Sequence, residues 1–173
     1  MKNKYLQLIY ARAFVLFILL FVTAGAIKSY SQITFNDGNL KYAVFENTPS
    51  KDVTLVLVTG FVDKEMAPKE LIIPNSINLN GETYTVNAIM PYAFNGCTNL
   101  VSVTIPNTIA SIGEGTFFNC TGLLSVIIPN TVTSVGKYAF YGCRSLTDVL
   151  VPKVVNIHEN AFVGCDNLII KLE

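Results

Sequence analysis

Four cysteines, one histidine and a scatter of carboxylates are the side chains in this 173-residue chain best suited to chemistry, and their spacing argues against most of it. Cys97, Cys120, Cys143 and Cys165 are separated by 23, 23 and 22 residues, each with a phenylalanine three residues before it and a leucine three residues after. Zinc sites need paired ligands a few residues apart, and the sequence has neither a close cysteine pair nor a second histidine. One equivalent, apolar-flanked position is where a small buried hydrophobe belongs. A bridge between neighbours such as Cys97 and Cys120 stays open as the alternative in an oxidising compartment. His158 stands beside Glu159, and any serine or cysteine nucleophile would have to depend on it alone; a solvated turn residue is the simpler reading. Glu114 and Glu159 could act as paired carboxylates only across two repeats, about 10 Å apart, on turns that supply no desolvation to raise either pKa. The glycines recur with the repeat, as turn residues do, and no phosphate-cradling loop is present. These residues imply no enzyme, no cofactor and no metal.

The elements that would position them follow the same period. Phe94, Phe117, Phe140 and Phe162 are spaced 23, 23 and 22 residues apart, as are Leu100, Leu123, Leu146 and Leu168 and the column Ile89, Ile112, Val135, Ile157. Pro106, Pro129 and Pro152 are 23 apart, so the missing residue falls between Pro152 and Ile157, where it shortens a connection and leaves the apolar columns intact. A fixed period of this length is the mark of a stacked repeat. Within a unit, the Val- and Ile-rich segment from Leu100 to Ile105 predicts a short strand, which Pro106 ends because it has no N–H to give to a ladder. Asn107 and Thr108 turn the chain, and residues 109–112 form a second short strand. Apolar residues three apart at Phe94, Cys97 and Leu100 predict a single helical or 3₁₀ turn. One coil cannot bury its own apolar face, so coils stack and like residues form ladders roughly 5 Å apart. The expected fold is a β-rich solenoid of short strands and tight turns.

Three segments follow along the chain. Lys2, Lys4 and Arg12 precede an uncharged apolar run at 13–27, and Ser29 and Ser31 then offer small residues for a cut before Gln32. Residues 1–31 therefore read as a cleaved signal peptide, the run of 15 being short for a span of about 20. The mature chain carries no membrane span and is secreted, periplasmic or displayed at the cell surface. Residues 32–70 lack the repeat and read as an N-terminal β cap, with 53–58 and 40–45 as partner strands. Residues 71–173 are the solenoid, one degenerate coil plus about four repeats. In the degenerate coil, Asn80-Gly81 between Ile77/Leu79 and Tyr84/Val86 predicts a hairpin. At the far end, Ile170 and Leu172 point inward if one more residue has been dropped there, which leaves the C-terminal edge open to self-association. Without residues 1–31, eight basic residues face twelve acidic ones, a net charge of about −4 with no basic stripe, so nucleic acid is excluded as a partner.

The units VNAIMPYAFNGCTNLVSVTIPNT, ASIGEGTFFNCTGLLSVIIPNT and TSVGKYAFYGCRSLTDVLVPKV resemble the BspA-type leucine-rich repeats of bacterial surface proteins. They depart from that pattern with Met90 and His158 in place of Gly and Thr116 in place of Ala. The resemblance implies a leucine-rich-repeat solenoid in an exported protein engaged in adhesion or protein binding, with no catalytic residues to carry over. What is free to bind lies on outward positions. On the first strand face these are Ser102 and Thr104, Ser125 and Ile127, Asp148 and Leu150, where Ile127 and Leu150 place neighbouring apolar side chains toward solvent and suggest a protein partner. At the turns, Phe118, Tyr138 and Tyr141 form an aromatic ridge, the alternative surface for a glycan in an envelope component.

Overall fold

The computed structural model describes residues 30–47 and 54–172, and among these thirteen strands form. The predicted leader lies outside the described residues except for Tyr30 and Ser31, which begin the first strand. Strands β1 (Tyr30–Asp37), β2 (Leu40–Asn47) and β3 (Thr54–Phe61) make an antiparallel meander, with Val44 opposite Val56. The hairpin of β5 (Ser76–Leu79) and β6 (Glu82–Ile89) joins it through a parallel β3–β6 pairing, completing a five-stranded sheet. Asn80 and Gly81 both have positive φ, 55° and 85°, as a two-residue hairpin turn of this hand requires.

The repeats wind into a β-solenoid whose successive coils stack strands into two parallel sheets, five strands in one and three in the other. The longer sheet stacks β4 (Glu70–Ile72), β7 (Ser102–Thr104), β9 (Ser125–Ile127), β11 (Asp148–Val151) and β13 (Ile169–Leu172) in that order. The shorter one stacks β8 (Ser111–Ile112), β10 (Ser134–Val135) and β12 (Asn156–Ile157). Register follows the sequence columns: Val103 pairs with Val126, Val135 with Ile112 and Ile157, and Val149 with Val126. In the last coil Val149 meets Ile170 and Val151 meets Leu172, so a second residue has been dropped, between Leu168 and β13.

Where a single helical or 3₁₀ turn is expected, the described residues form no helical segment but a chain of isolated turns closed by bonds three residues back. The reason is where alternate N–H groups go. Ala93, Asn95 and Cys97 donate back three residues, to Met90, Tyr92 and Phe94, at 3.1 to 3.2 Å. Tyr92, Phe94 and Gly96 donate instead to Glu114, Thr116 and Phe118 of the next coil, at 2.8 to 3.0 Å. A helical turn would need all of these donors for itself, and stacking claims half of them.

Inside, the phenylalanine column stacks ring on ring. Phe94, Phe117, Phe140 and Phe162 have centroids 5.4, 5.3 and 5.1 Å apart and planes within 13° of parallel. Leu100, Leu123 and Leu146, with Val103, Val126 and Val149, are buried in the same core. Phe61 at the end of β3 meets Phe94 edge-on at 5.2 Å. Gly60 permits that contact: its φ is +134°, and a Cβ there would lie 2.5 Å from the Ala93 carbonyl oxygen. Among the described residues no helix is long and apolar enough to cross a membrane.

Candidate functional site

The outward side of the longer sheet brings the expected binding residues together in two rows. Strand alternation sends Val103, Val126 and Val149 inward and their neighbours out. Register then sets Thr104 beside Ile127 and Ile127 beside Leu150, with Ser102, Ser125 and Asp148 as the parallel row. Ile127 keeps 64% of its surface exposed and Leu150 is half-buried. The face extends further than sequence reasoning placed it. Ile72 of β4 pairs with Thr104 and is 68% exposed, so the stripe runs Ile72, Thr104, Ile127, Leu150 across four strands, about 15 Å at ordinary strand spacing. Leu124, exposed just before β9, widens it. Leu71-Ile72-Ile73-Pro74 matches the strand end of a repeat, which was the available signal for Ile72, but the longer connection after Pro74 breaks the period that would have aligned it. Lys171 of β13 closes the stripe as an ion pair with Asp148, and this partner holds the Asp148 carboxyl below its ordinary range. Beside it Ile169, Ile170 and Leu172 are exposed on the last strand.

Residues 70–171 match the BspA type leucine rich repeat region in six copies. The chain belongs to the BspA-type leucine-rich repeat family. Among solved structures, a leucine-rich repeat protein from Bacteroides ovatus is similar at 28% identity and a TM-score of 0.66, over 80% of this chain and 37% of that one. A leucine-rich cell surface protein from Faecalibacterium prausnitzii follows at 24% and 0.60, over 83% of this chain and 43% of that one. A leucine-rich repeat protein from Bacteroides capillosus is 24% identical with a TM-score of 0.64, over 80% of this chain and 98% of that one. The chain thus spans well under half of the first two relatives and nearly all of the third. No curated protein matches the sequence.

In this BspA-type solenoid the aromatic ridge is contiguous but turned on itself. Phe118 and Tyr141 stack at 4.8 Å with planes 9° apart, so each spends a face on the other. Tyr138 stands nearly perpendicular to both, 87° and 85°, and Lys137 Nζ sits 4.8 Å over its ring. Tyr92 extends the strip toward Phe118, its hydroxyl donating to Glu114 Oε1 at 2.9 Å. Its ring occupies the space that a Cβ on Gly115 would need, 2.2 Å away. A sugar stacks on a flat, open ring face, and here Phe118, Tyr138 and Tyr141 have each given one face or edge to a neighbour.

The other BspA-type repeat positions do structural tasks. Cys120, Cys143 and Cys165 each donate a thiol hydrogen bond, 3.1 Å long, to the carbonyl of Phe94, Phe117 and Phe140 one coil earlier. All four cysteines are free thiols. Thr116, where the family pattern has alanine, is buried and donates to the Gly113 carbonyl at 3.0 Å. His158 is exposed, and its Nδ1 accepts from the Asn160 N–H at 3.1 Å. Glu114 and Glu159 lie on exposed turns. Among the described residues no group of three or more histidines, cysteines and carboxylates could hold a metal ion.

Proposed function

We propose that the chain is a protein-binding module, not an enzyme, that acts outside the cytoplasm, in the periplasm or at the cell surface, and takes its partner on the outward face of the longer sheet. One observation carries the reading: Ile72 and Ile127 hold more than 60% of their surface in solvent on a parallel sheet, in one row with Thr104 and the half-buried Leu150. Contiguous apolar side chains on such a frame mark interaction sites more often than scattered ones do. The frame costs little entropy on binding, because the strands that present the stripe are already ordered by their neighbours. The cell surface description of the Faecalibacterium prausnitzii relative supports the location. An envelope or host protein with a complementary apolar ridge fits the stripe, and adhesion is the role that such capture serves. The glycan reading of Phe118, Tyr138 and Tyr141 has less support, because their rings are engaged with one another and with Lys137.

The test is capture of proteins from envelope and host extracts by the chain and by an Ile127→Lys/Leu150→Lys double variant. Neither side chain is in the core column, so both proteins are expected to give the same circular dichroism and thermal melt. Proteins captured by the parent and lost by at least ten-fold from the variant support the reading. Undiminished capture by the variant puts the binding surface elsewhere.

A further inference from the structure

The thiol column is a second array that the binding face does not use. Cys143 and Cys165 occupy equivalent positions in consecutive coils, whose backbones are tied one residue earlier by Gly142 N–H donating to the Val163 carbonyl at 2.8 Å. Two residues further back, Phe140 N–H donates to the Ala161 carbonyl at 2.8 Å and continues the same coil-to-coil tie. Backbones joined by direct N–H to carbonyl bonds of this kind run about 4.8 Å apart, inside the range of roughly 4.4 to 6.8 Å between Cα atoms that a disulfide spans. Both sulfurs point the same way, since each thiol donates to a phenylalanine carbonyl in the coil before its own. Cys97, Cys120 and Cys143 are fully buried, whereas Cys165 is part-exposed, so the pair it makes with Cys143 is the one that meets solvent. We infer that Cys143 and Cys165 form a thiol–disulfide exchange site that reacts with small-molecule disulfides, Cys165 attacking first and Cys143 resolving.

The electrons and protons balance. The Cys165 sulfur attacks one sulfur of the small disulfide, forming a mixed disulfide and expelling one thiolate, which takes the proton that Cys165 loses. The Cys143 sulfur then attacks Cys165 Sγ, and the second small thiolate leaves with the proton from Cys143. The protein pair is oxidised by two electrons to a disulfide, and the small disulfide is reduced to two thiols. The order of attack follows exposure, and the neighbouring Cys143 thiol also lowers the Cys165 thiol pKa. That same contact, followed by burial, raises Cys143, which suits it to act second.

The experiment treats the folded, reduced chain with oxidised glutathione at neutral pH, then alkylates free thiols and maps peptides without reduction. The expected result is a loss of about 2 Da, one cross-linked peptide joining Cys143 to Cys165, and full alkylation of Cys97 and Cys120 after unfolding. A Cys143→Ser variant is expected to stop at a glutathione adduct on Cys165, and Cys165→Ser to give neither adduct nor cross-link over the same time. The parent map does not depend on either variant folding. Four unreacted thiols, a cross-link spread evenly over all neighbouring pairs, or a lasting glutathione adduct on the parent chain would each overturn the assignment.

Discussion

A phenylalanine in the middle of the column has a parallel ring on each face, and one at the end has a ring on one side only. Phe117 lies between Phe94 and Phe140 and is fully buried, while Phe162 stacks on Phe140 alone and is half-buried. Phe117→Ala is therefore expected to cost about 3 to 5 kcal/mol, the ordinary range for a buried phenylalanine with its cavity term, and Phe162→Ala well under half of that. Urea unfolding of the two variants checks the ranking, and equal losses would mean that the rings do not act as a stack. The columns themselves were legible because identical residues recur at one period. What the side chains do beyond filling space was not. The cysteine was readable as a small hydrophobe, but its hydrogen bond to a carbonyl 25 or 26 residues away needs the coil-to-coil register, which no local pattern carries. Thr116 poses the same difficulty, since its hydroxyl is satisfied by a turn carbonyl that only the folded coil brings near.

Apolar residues three apart, the basis for expecting a helical turn between Phe94 and Leu100, suit both a 3₁₀ turn and a chain of separate turns. The N–H groups taken by the next coil decide between them, and that is a property of stacking. Strand ends were easier, because Pro106, Pro129 and Pro152 stop ladders by their chemistry, and the Asn80-Gly81 turn was readable for the same kind of reason. The last strand is the element with the least to hold it. Among the described residues β13 pairs only with β11; it is exposed along its length, and Lys171 ties it to Asp148. Since this contact lowers the Asp148 pKa in the folded chain, its contribution is complete above the ordinary carboxylate value of 3.8 and is lost as pH falls through the depressed folded value. Amide exchange of residues 169–172, corrected for intrinsic rates, is expected to speed up over that acid range and by no more than about five-fold, as suits an exposed ion pair. Lys171→Met is expected to remove the pH dependence while leaving β11 protected. If the acceleration persists in that variant, another group controls the edge.

An array of coils that touch only their neighbours is as stable as the end where it begins, and the start of this one is supported by a segment without the repeat. In later coils the carbonyls of Phe118, Tyr141 and Val163 accept N–H groups from the coil before. The equivalent carbonyl in the first coil belongs to Asn95, and there the Lys64 ammonium takes the place of the missing donor at 2.7 Å. Phe61 in the same way supplies the ring that a preceding coil would have set against Phe94. Neither substitute was visible in the sequence, because Phe61 is 33 residues before Phe94, off the 23-residue period, and a lysine standing in for a backbone donor leaves no pattern. Both losses are expected to fall on the first coil. Phe61→Ala removes a buried ring, at about 3 to 5 kcal/mol, and Lys64→Met leaves a carbonyl short of its donor, at about 1 to 3 kcal/mol. Since the two side chains support the same coil by different means, the double variant is expected to open residues 90–100 to amide exchange while residues 135–146, two coils on, stay protected. Uniform loss of protection from one end to the other would show that the molecule unfolds as a single unit and that this end holds no special control over the array.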